Sequence, residues 1–237
     1  MTNINKLLKQ KEYKESDYKE LHDLCLELGI PYMESFIDIM YGYPDEESKR
    51  LWEQPQRCHS WVRNTYNQIM ACLGSLNLSD ASPNWGTGFM NVKDTGGTIR
   101  NGSTPGFNNY DAEAEGSWLV AAVNINTMGI LVGSDAAAES FEDYFLKSQL
   151  TANITHAAMS APTRSQDGLN NKVSYSRKLT NATGGQVTFR ECALVANMYV
   201  GAARKVMLSR DLITPALTLN NTGYLTPTYT IALTYPS

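Results

Sequence analysis

The segment from Val206 to Tyr235 places the tightest constraint on the fold, because hydroxyl, aromatic and branched side chains alternate along it almost without a break. Alternation with a period of two is typical of β-strands, whose successive side chains point to opposite faces. Asn220-Asn221-Thr222-Gly223 interrupts the pattern and has the composition of a turn. The segment therefore predicts paired strands and a turn, and it contains no obvious catalytic group.

Similar runs of strand-forming residues fill the rest of the C-terminal half. They are Trp118–Val123, Met128–Val132, Phe145–Ile154, Lys172–Thr180, Gln186–Val195, Met198–Val200, Val206–Leu212, Ala216–Leu219 and Leu225–Tyr235. Short clusters rich in Asn, Thr and Gly separate them, and no helical pattern intervenes. Eight or nine short strands spaced by turns predict a mainly β fold with an antiparallel β-sandwich domain over residues 118–237.

The N-terminal half has helical rather than strand-like patterns. Residues 1–15 are polar and rich in lysine, which predicts a flexible or partner-draped tail. Residues 16–76 are predicted to be a helical region, and its first helix ends where Gly29 is followed by Pro31. A second helix is predicted from Pro31 to about Met40. The third and longest helix is predicted from Gln56 to Leu73.

Periodicity disappears between these two halves. Residues 77–117 contain many Gly, Asn and Ser, which predicts a long irregular connector. Its large aromatic residues are able to pack on another surface, because interfaces use aromatic side chains as anchors. The candidate subunit-interface residues are Trp85, Phe89, Phe107 and Tyr110.

Charge and cysteine content narrow the function classes. The net charge is −4, which gives no footprint for direct binding to nucleic acid or to an anionic membrane. No apolar run approaches the roughly 18 residues of a membrane span, and the N-terminus lacks the apolar core of a secretory signal. The four scattered cysteines predict free thiols in a reducing cytoplasm. Residues 118–237 hold only seven acids and nine bases. So few charges are typical of a protein that packs into an assembly, because charges are costly to desolvate at interfaces.

None of the candidate reactive groups forms a convincing site. Cys58, His59 and Cys72 lack the spacing of metal ligands, so core thiols are the better interpretation. Neighbouring strand residues point to opposite faces, so Arg210 and Asp211 cannot form one catalytic or ligand-binding pair. Both are expected to have structural roles. One side chain would reach a neighbouring strand or cap a turn, and the other would be solvated or lie at a subunit contact. The acids Glu139, Glu142 and Asp143 predict a solvated loop. The sequence thus predicts no catalytic, cofactor-binding or metal-binding residues and no enzyme activity.

An ordered set of short motifs is distributed over three stretches of the C-terminal half. Their residues are Gly129, Val132 and Gly133, then Asp143 and Tyr144, Thr180, Asn181, Thr183 and Gly184, Glu191, Arg210 and Asp211, and finally Thr228, Tyr229, Thr230 and Ile231. In this order they resemble a β-domain found in structural proteins of tailed bacteriophage virions. The resemblance covers residues 118–237 only. Ala193 and Leu194 depart from the usual glycine, and Pro227 in the last strand indicates a strand that begins at a sheet edge.

The resemblance implies a structural component of a phage neck, collar or tail, made in the host cytoplasm and located in the virion. The expected partners are other virion proteins and further copies of the chain in a ring or other symmetric assembly. A receptor- or glycan-binding tail tip or capsid decoration protein is the alternative. A glycan hydrolase or lyase is a third hypothesis, and it would require activity that depends on Glu142 or Asp143.

Overall fold

The computed structural model describes residues 15–58, 61–74, 92–100, 116–199 and 203–236. These ranges are mainly β, with antiparallel sheets and a short N-terminal helix. The helices are α1 (Glu15–Glu27) and α2 (Arg63–Gly74). The strands are β1 (Tyr32–Gly42), β2 (Lys49–Arg50), β3 (Gln56–Arg57), β4 (Val92–Lys93), β5 (Ile99–Arg100), β6 (Gly116–Ser117), β7 (Val120–Ala121), β8 (Gly129–Gly133), β9 (Ile154–His156), β10 (Thr163–Asp167), β11 (Asn170–Ser176), β12 (Leu179–Asn181), β13 (Val187–Tyr199), β14 (Ala203–Leu219) and β15 (Tyr224–Thr234).

The larger sheet, called here the first sheet, has eight strands among the described residues, and β15 lies at its centre. β1 pairs with β15 along its whole length, from Tyr32 opposite Thr234 to Gly42 opposite Tyr224. On the other side β15 pairs first with β12 and then with β11, which carries β10 at the edge. β2 and β3 lie on the far side of β1, and β9 extends from β12.

The predicted second helix, from Pro31 to about Met40, is wrong, because this segment is strand β1. Its burial follows a period of two, with Ser35, Ile37 and Ile39 buried and their neighbours more exposed. The helical region predicted over residues 16–76 therefore contains a strand next to the centre of a sheet. Since β1 supplies buried side chains to the same core as β15, these residues belong to the same folded unit as the C-terminal half.

The second sheet consists of β14, β13 and β8 in that order, and the long pair β13–β14 dominates it. Strands and a turn over Val206–Tyr235 are confirmed, since β14 and β15 flank a turn at Asn220–Gly223. The strands predicted separately as Val206–Leu212 and Ala216–Leu219 are parts of one continuous strand, β14. However, β14 and β15 do not pair with each other. The turn carries the chain from the second sheet to the first, so that each strand pairs with partners from elsewhere in the sequence.

Pro227 does not mark a sheet edge, as the sequence had indicated, because β15 is central. The Pro227 carbonyl accepts a hydrogen bond from the Arg177 amide on the side of β11 and β12. In an antiparallel strand the amide of a residue points to the same side as its carbonyl. The missing N–H of Pro227 therefore points to the break between β11 and β12, where no ladder bond requires it.

The other element predictions have mixed outcomes. α1 ends as expected, because Gly29 has a φ of 72° and the Ile30 amide bonds to the Cys25 carbonyl, which closes the helix. The long third helix begins later than predicted, since β3 precedes α2. The strand predicted from Phe145 to Ile154 is wrong over most of its length, where the chain forms turns and only β9 begins at Ile154. The connector prediction lies mostly outside the described residues, although β4 and β5 form a small hairpin within it.

The two sheets contact each other through one buried core. The Tyr229 hydroxyl on β15 donates to Asp211 Oδ2 on β14 at 2.9 Å, and the Trp52 indole donates to the Thr214 carbonyl at 2.8 Å. α2 covers the outer edge of β14, where Thr65 Oγ1 donates to the Leu208 carbonyl and Asn64 Nδ2 to that of Met207. These contacts satisfy backbone groups that a strand edge would otherwise expose.

Candidate functional site

A buried ion pair lies at the centre of the residues that carry the phage resemblance. Arg210 on β14 and Glu191 on β13 are both fully buried, and Arg210 Nε lies 2.6 Å from Glu191 Oε2. Burial alone would lower the pKa of Arg210, but the facing carboxylates of Glu191 and Asp143 outweigh it and raise that pKa. Arg210 is therefore held as a cation inside the protein.

The same guanidinium holds the loop after β8. Arg210 Nη1 lies 3.0 Å from Asp143 Oδ2, and its other nitrogen atom Nη2 donates to the Ala137 carbonyl at 2.9 Å. Glu191 accepts the Ser148 amide at 2.9 Å. Gly133 faces this cluster, and a Cβ added there would lie 2.6 Å from the Ser148 carbonyl and closer still to Glu191. Glycine is thus required for this loop to close on the second sheet.

The prediction of a solvated acidic loop is wrong for Asp143, which is 2% exposed. Lys147 Nζ lies 2.7 Å from its Oδ1, and Arg210 occupies the other oxygen. Glu139 accepts the Leu212 amide, and Glu142 is paired with Arg63. Each of these three carboxylates is engaged in holding the loop.

Asp211 points the other way from Arg210, as expected for neighbouring strand residues, but it is buried rather than solvated. It accepts the Tyr229 hydroxyl between the two sheets. Cys58 and Cys192 lie beside it, and burial raises the pKa of both thiols, with the charge of Asp211 adding to the effect. The interpretation of Cys58 as a core thiol is confirmed, and such thiols are poor nucleophiles.

A second buried arginine, Arg177, lies between β11 and β12. Arg177 donates all of its guanidinium N–H groups to backbone carbonyls, namely those of Ala157, Met128, Ile130, Ala122 and Ile125. Burial lowers its pKa to about 10. His156 lies nearby, fully buried, with Nδ1 on the Ile154 carbonyl and Nε2 without a hydrogen-bond partner. Burial and the charge of Arg177 lower the pKa of His156 to about 4.

The turn motif of the resemblance is built around Asn181, which is completely buried. Its Nδ2 donates to the carbonyls of Gly185 and Leu219, and its Oδ1 accepts the amide of Thr183 at 2.9 Å. The side chain therefore ties its own turn to the end of β14. No ligand is needed to explain the Asn and Thr residues at this position.

An open groove of about 880 Å³ lies on the outer face of the first sheet. Three neighbouring strands supply its floor, with Phe36 and Asp38 on β1, Thr228 and Thr230 on β15, and Lys172 and Ser174 on β11. The register places Thr230 between Phe36 and Ser174. The residues between β2 and β3, including Trp52 and Pro55, form one wall. This groove is the candidate binding site.

Two arginine contacts fix the rim of the groove. Arg50 donates from Nε to Asp38 Oδ1 at 2.9 Å and from Nη2 to Asp38 Oδ2 at 2.6 Å, a bidentate arrangement. Arg57 pairs with Glu15 and Glu34 and stacks its guanidinium 5.0 Å from the Phe36 ring centroid. Lys172, by contrast, has no carboxylate partner among the described residues.

The four candidate interface residues, Trp85, Phe89, Phe107 and Tyr110, lie outside the described residues. His59 does too, and the side chain of Cys72 is not described. The part of the chain that the structure describes contains no group of three or more residues arranged to hold a metal ion. No helix in it is long and apolar enough to cross a membrane.

Sequence reasoning did not find the groove, because its floor comes from strands far apart in the chain. The outward positions of β15, Thr228 and Thr230, carried a signal in their alternation with buried residues. The same alternation in β1 was masked by its compatibility with a helix, so Phe36 and Asp38 were not assigned to a sheet face.

No family model matches the chain, and no curated protein or solved structure matches it either. What the molecule does must therefore be inferred from its own residues.

Proposed function

We propose that the chain is a structural component of a tailed bacteriophage virion, in the neck, collar or tail, and that it acts through subunit contacts. In this proposal the two sheets are the layers of an antiparallel β-sandwich. The inter-sheet bond between Tyr229 and Asp211 supports that layering. The motif residues Gly133, Asp143, Glu191 and Arg210 support a scaffolding role, since they contact one another in a buried framework.

An exposed apolar end of the first sheet carries the proposal. Ile30, Met33, Leu169 and Tyr235 are four of the eight large exposed hydrophobic residues in the described part of the chain. They lie together, because Tyr32 pairs with Thr234 and the Tyr235 amide bonds to the Leu169 carbonyl. Clustered apolar residues on a surface are typical of protein–protein contact sites.

Mass spectrometry of purified phage particles tests the proposal. We expect the chain in the particles, in a copy number that is a multiple of six or twelve as neck and tail rings require. Its absence from particles would refute a virion role. A copy number in the hundreds would place it on the capsid shell instead.

A matched pair of variants tests the apolar end itself. Leu169→Ser with Tyr235→Ser is expected to reduce incorporation into particles, because it removes apolar contact area at the proposed interface. Val123→Ser is the control, since Val123 is also exposed but lies near β9, toward the opposite end of β15. Equal incorporation of both variants would exclude this end as the contact surface.

The groove on the first sheet favours a second candidate function, a receptor- or glycan-binding tail-tip or decoration protein. Aromatic, hydroxyl and charged side chains converge there on an open face. Size exclusion with and without other virion proteins separates the two candidates, because a tip protein is expected to be stable without them. No catalytic step is proposed for either.

A further inference from the structure

We infer that the groove over β1, β15 and β11 binds an acidic oligosaccharide, one whose sugar rings carry carboxylates. The inference adds to the second candidate function by naming the ligand class, and it does not depend on the virion assignment.

The dimensions of the floor suit sugar rings. Neighbouring strands lie about 4.8 Å apart and alternate residues on one strand about 6.8 Å apart. The outward residues of the three strands, Phe36, Thr230 and Ser174, therefore form a row about 10 Å long, with Asp38 and Thr228 as a second row beside it. A row of this length matches two consecutive sugar rings.

The chemistry of the floor and wall also suits a saccharide. The hydroxyls of Ser174 and Thr230 lie 2.8 Å apart and can exchange hydrogen bonds with sugar hydroxyls. Trp52 lines the wall with its indole N–H already bonded to Thr214, so its ring rather than its donor is offered to the groove. Aromatic rings and hydroxyls together recognise the apolar and polar faces of a sugar.

A peptide is the less suitable occupant. An extended peptide binds most readily by pairing with the backbone of an exposed strand edge. The floor of the groove offers no such edge, because β15 is paired on both sides, β11 is paired with β15 and β10, and β1 is paired with β15 and with β2 and β3. Only side chains face the ligand.

The position of Lys172 favours an acidic sugar over a neutral one. Arg50 is already neutralised by Asp38, and Arg57 by Glu15 and Glu34. Lys172 is the cation of the groove floor that has no carboxylate partner among the described residues. A carboxylate on the sugar would supply this missing partner, next to the hydroxyl pair on β11 and β15.

Isothermal titration of the full chain with defined oligosaccharides tests the inference. The probes are a galacturonic acid hexamer, a neutral maltose-series hexamer and a hexaglutamate peptide. We expect the galacturonate hexamer to bind at least about tenfold more tightly than the other two, since it alone matches both hydroxyls and charge.

Lys172→Gln is expected to lower the affinity for the galacturonate hexamer by about tenfold, as removal of one charge-assisted contact does. Lys49→Gln is the matched control, because Lys49 is exposed on β2 and does not line the groove. Thermal unfolding of both variants checks that the fold is retained.

Three outcomes would overturn the inference. One is that no probe binds. Another is binding that Lys172→Gln leaves unchanged, which would place the site elsewhere. The third is equal binding of hexaglutamate, which would show that the groove responds to charge and not to sugars. Presence or absence in phage particles bears on the virion proposal alone.

Discussion

At the scale of single residues, a cluster of buried charges attaches the loop after β8 to the second sheet. Glu191, Arg210 and Asp143 are all buried, and each has partners for its charge. Breaking one member of such a group leaves the others buried without compensation, which is costly. The cluster therefore fixes one conformation of the loop between β8 and Leu150.

Gly133→Ala is expected to destabilise the protein by about 3 kcal/mol, because the added methyl group meets the fixed Ser148 carbonyl and the Glu191 carboxylate. Urea unfolding followed by circular dichroism measures the loss. Gly185→Ala is the control, since no atom lies within 4 Å of a Cβ at that position. Equal stability of the two variants would contradict the packing described for Gly133.

His156 is expected to make the free energy of unfolding decrease as the pH is lowered. Its pKa is lowered from 6.5 to about 4 in the folded protein, so the unfolded chain binds the proton first. Stability should be highest above pH 6.5, fall between 6.5 and about 4 by roughly 3 kcal/mol, and level off below that range.

Denaturant unfolding at several pH values measures this dependence. In His156→Gln the fall is expected to be smaller by the His156 contribution, because the titrating group is gone. His22→Gln, on α1, controls for the general loss of a histidine. A pH profile of His156→Gln identical to that of the unchanged protein would refute the assignment.

The burial of Asp143 could not be predicted from its neighbours in the sequence. Its sequence neighbours Glu139 and Glu142 suggested a solvated acidic loop. The partner that buries it, Arg210, lies 67 residues away in the sequence. Only the pairing of β13 with both β14 and β8 brings the loop and Arg210 together. The opposite orientation of Arg210 and Asp211, by contrast, followed directly from strand geometry and is confirmed.

At the scale of elements, α1 is attached to the sheet mainly through polar contacts. None of its described residues is buried. Arg57 on β3 joins them by bonding Glu15 and stacking 4.9 Å from the Tyr18 ring centroid, while also pairing with Glu34 on β1. Arg57 therefore links the helix to two strands, and the His22 ring adds an edge-on contact with the Tyr32 ring of β1, 5.1 Å between centroids.

Arg57→Ala is expected to raise hydrogen exchange of the α1 amides by about tenfold, because the helix loses its ion pair and its cation–π contact with β3 while the sheets keep their core. Hydrogen-exchange mass spectrometry measures it. Arg50→Ala is the control, since Arg50 pairs with Asp38 and does not contact α1. Equal exchange in the two variants would mean that other contacts hold the helix.

Strands were predicted correctly where the sequence fitted only an alternating pattern, and β1 was missed because its sequence fits a helical pattern as well. β15 alternates along most of its length, which made it evident from sequence, whereas β14 buries six consecutive residues from Val206 to Asp211. In β1 the apolar residues of YMESFIDIM satisfy a helical spacing as well as an alternating one. Pairing with β15 selects the strand over the helix, and the residues of β1 carry no local signal of a partner so distant in the sequence.

At the scale of the whole molecule, the sheets and the N-terminal strand form one core. Ile37 and Ile39 on β1 are fully buried in the same cluster as Phe189 and Leu219 of the second sheet. The division predicted at residue 118 therefore separates residues that pack together.

A fragment of residues 118–237 is expected not to fold alone, because it lacks β1 and exposes one full side of β15. Its amide NMR spectrum should have little dispersion, and it should bind a hydrophobic dye. Residues 15–237 are the comparison and should give the dispersed spectrum of a folded β protein. A dispersed spectrum for the shorter fragment would support an independent C-terminal domain.

The central position of β15 also has a consequence for how the molecule is made. β1 leaves the ribosome early, yet its long partner follows it by roughly 180 to 200 residues, and contacts of such long range form slowly. Until β15 emerges, the apolar face of β1 has neither its sheet partner nor its full core. The first sheet is thus completed only after its last-made strand is inserted between strands already synthesised, and the nascent chain must stay soluble through that interval.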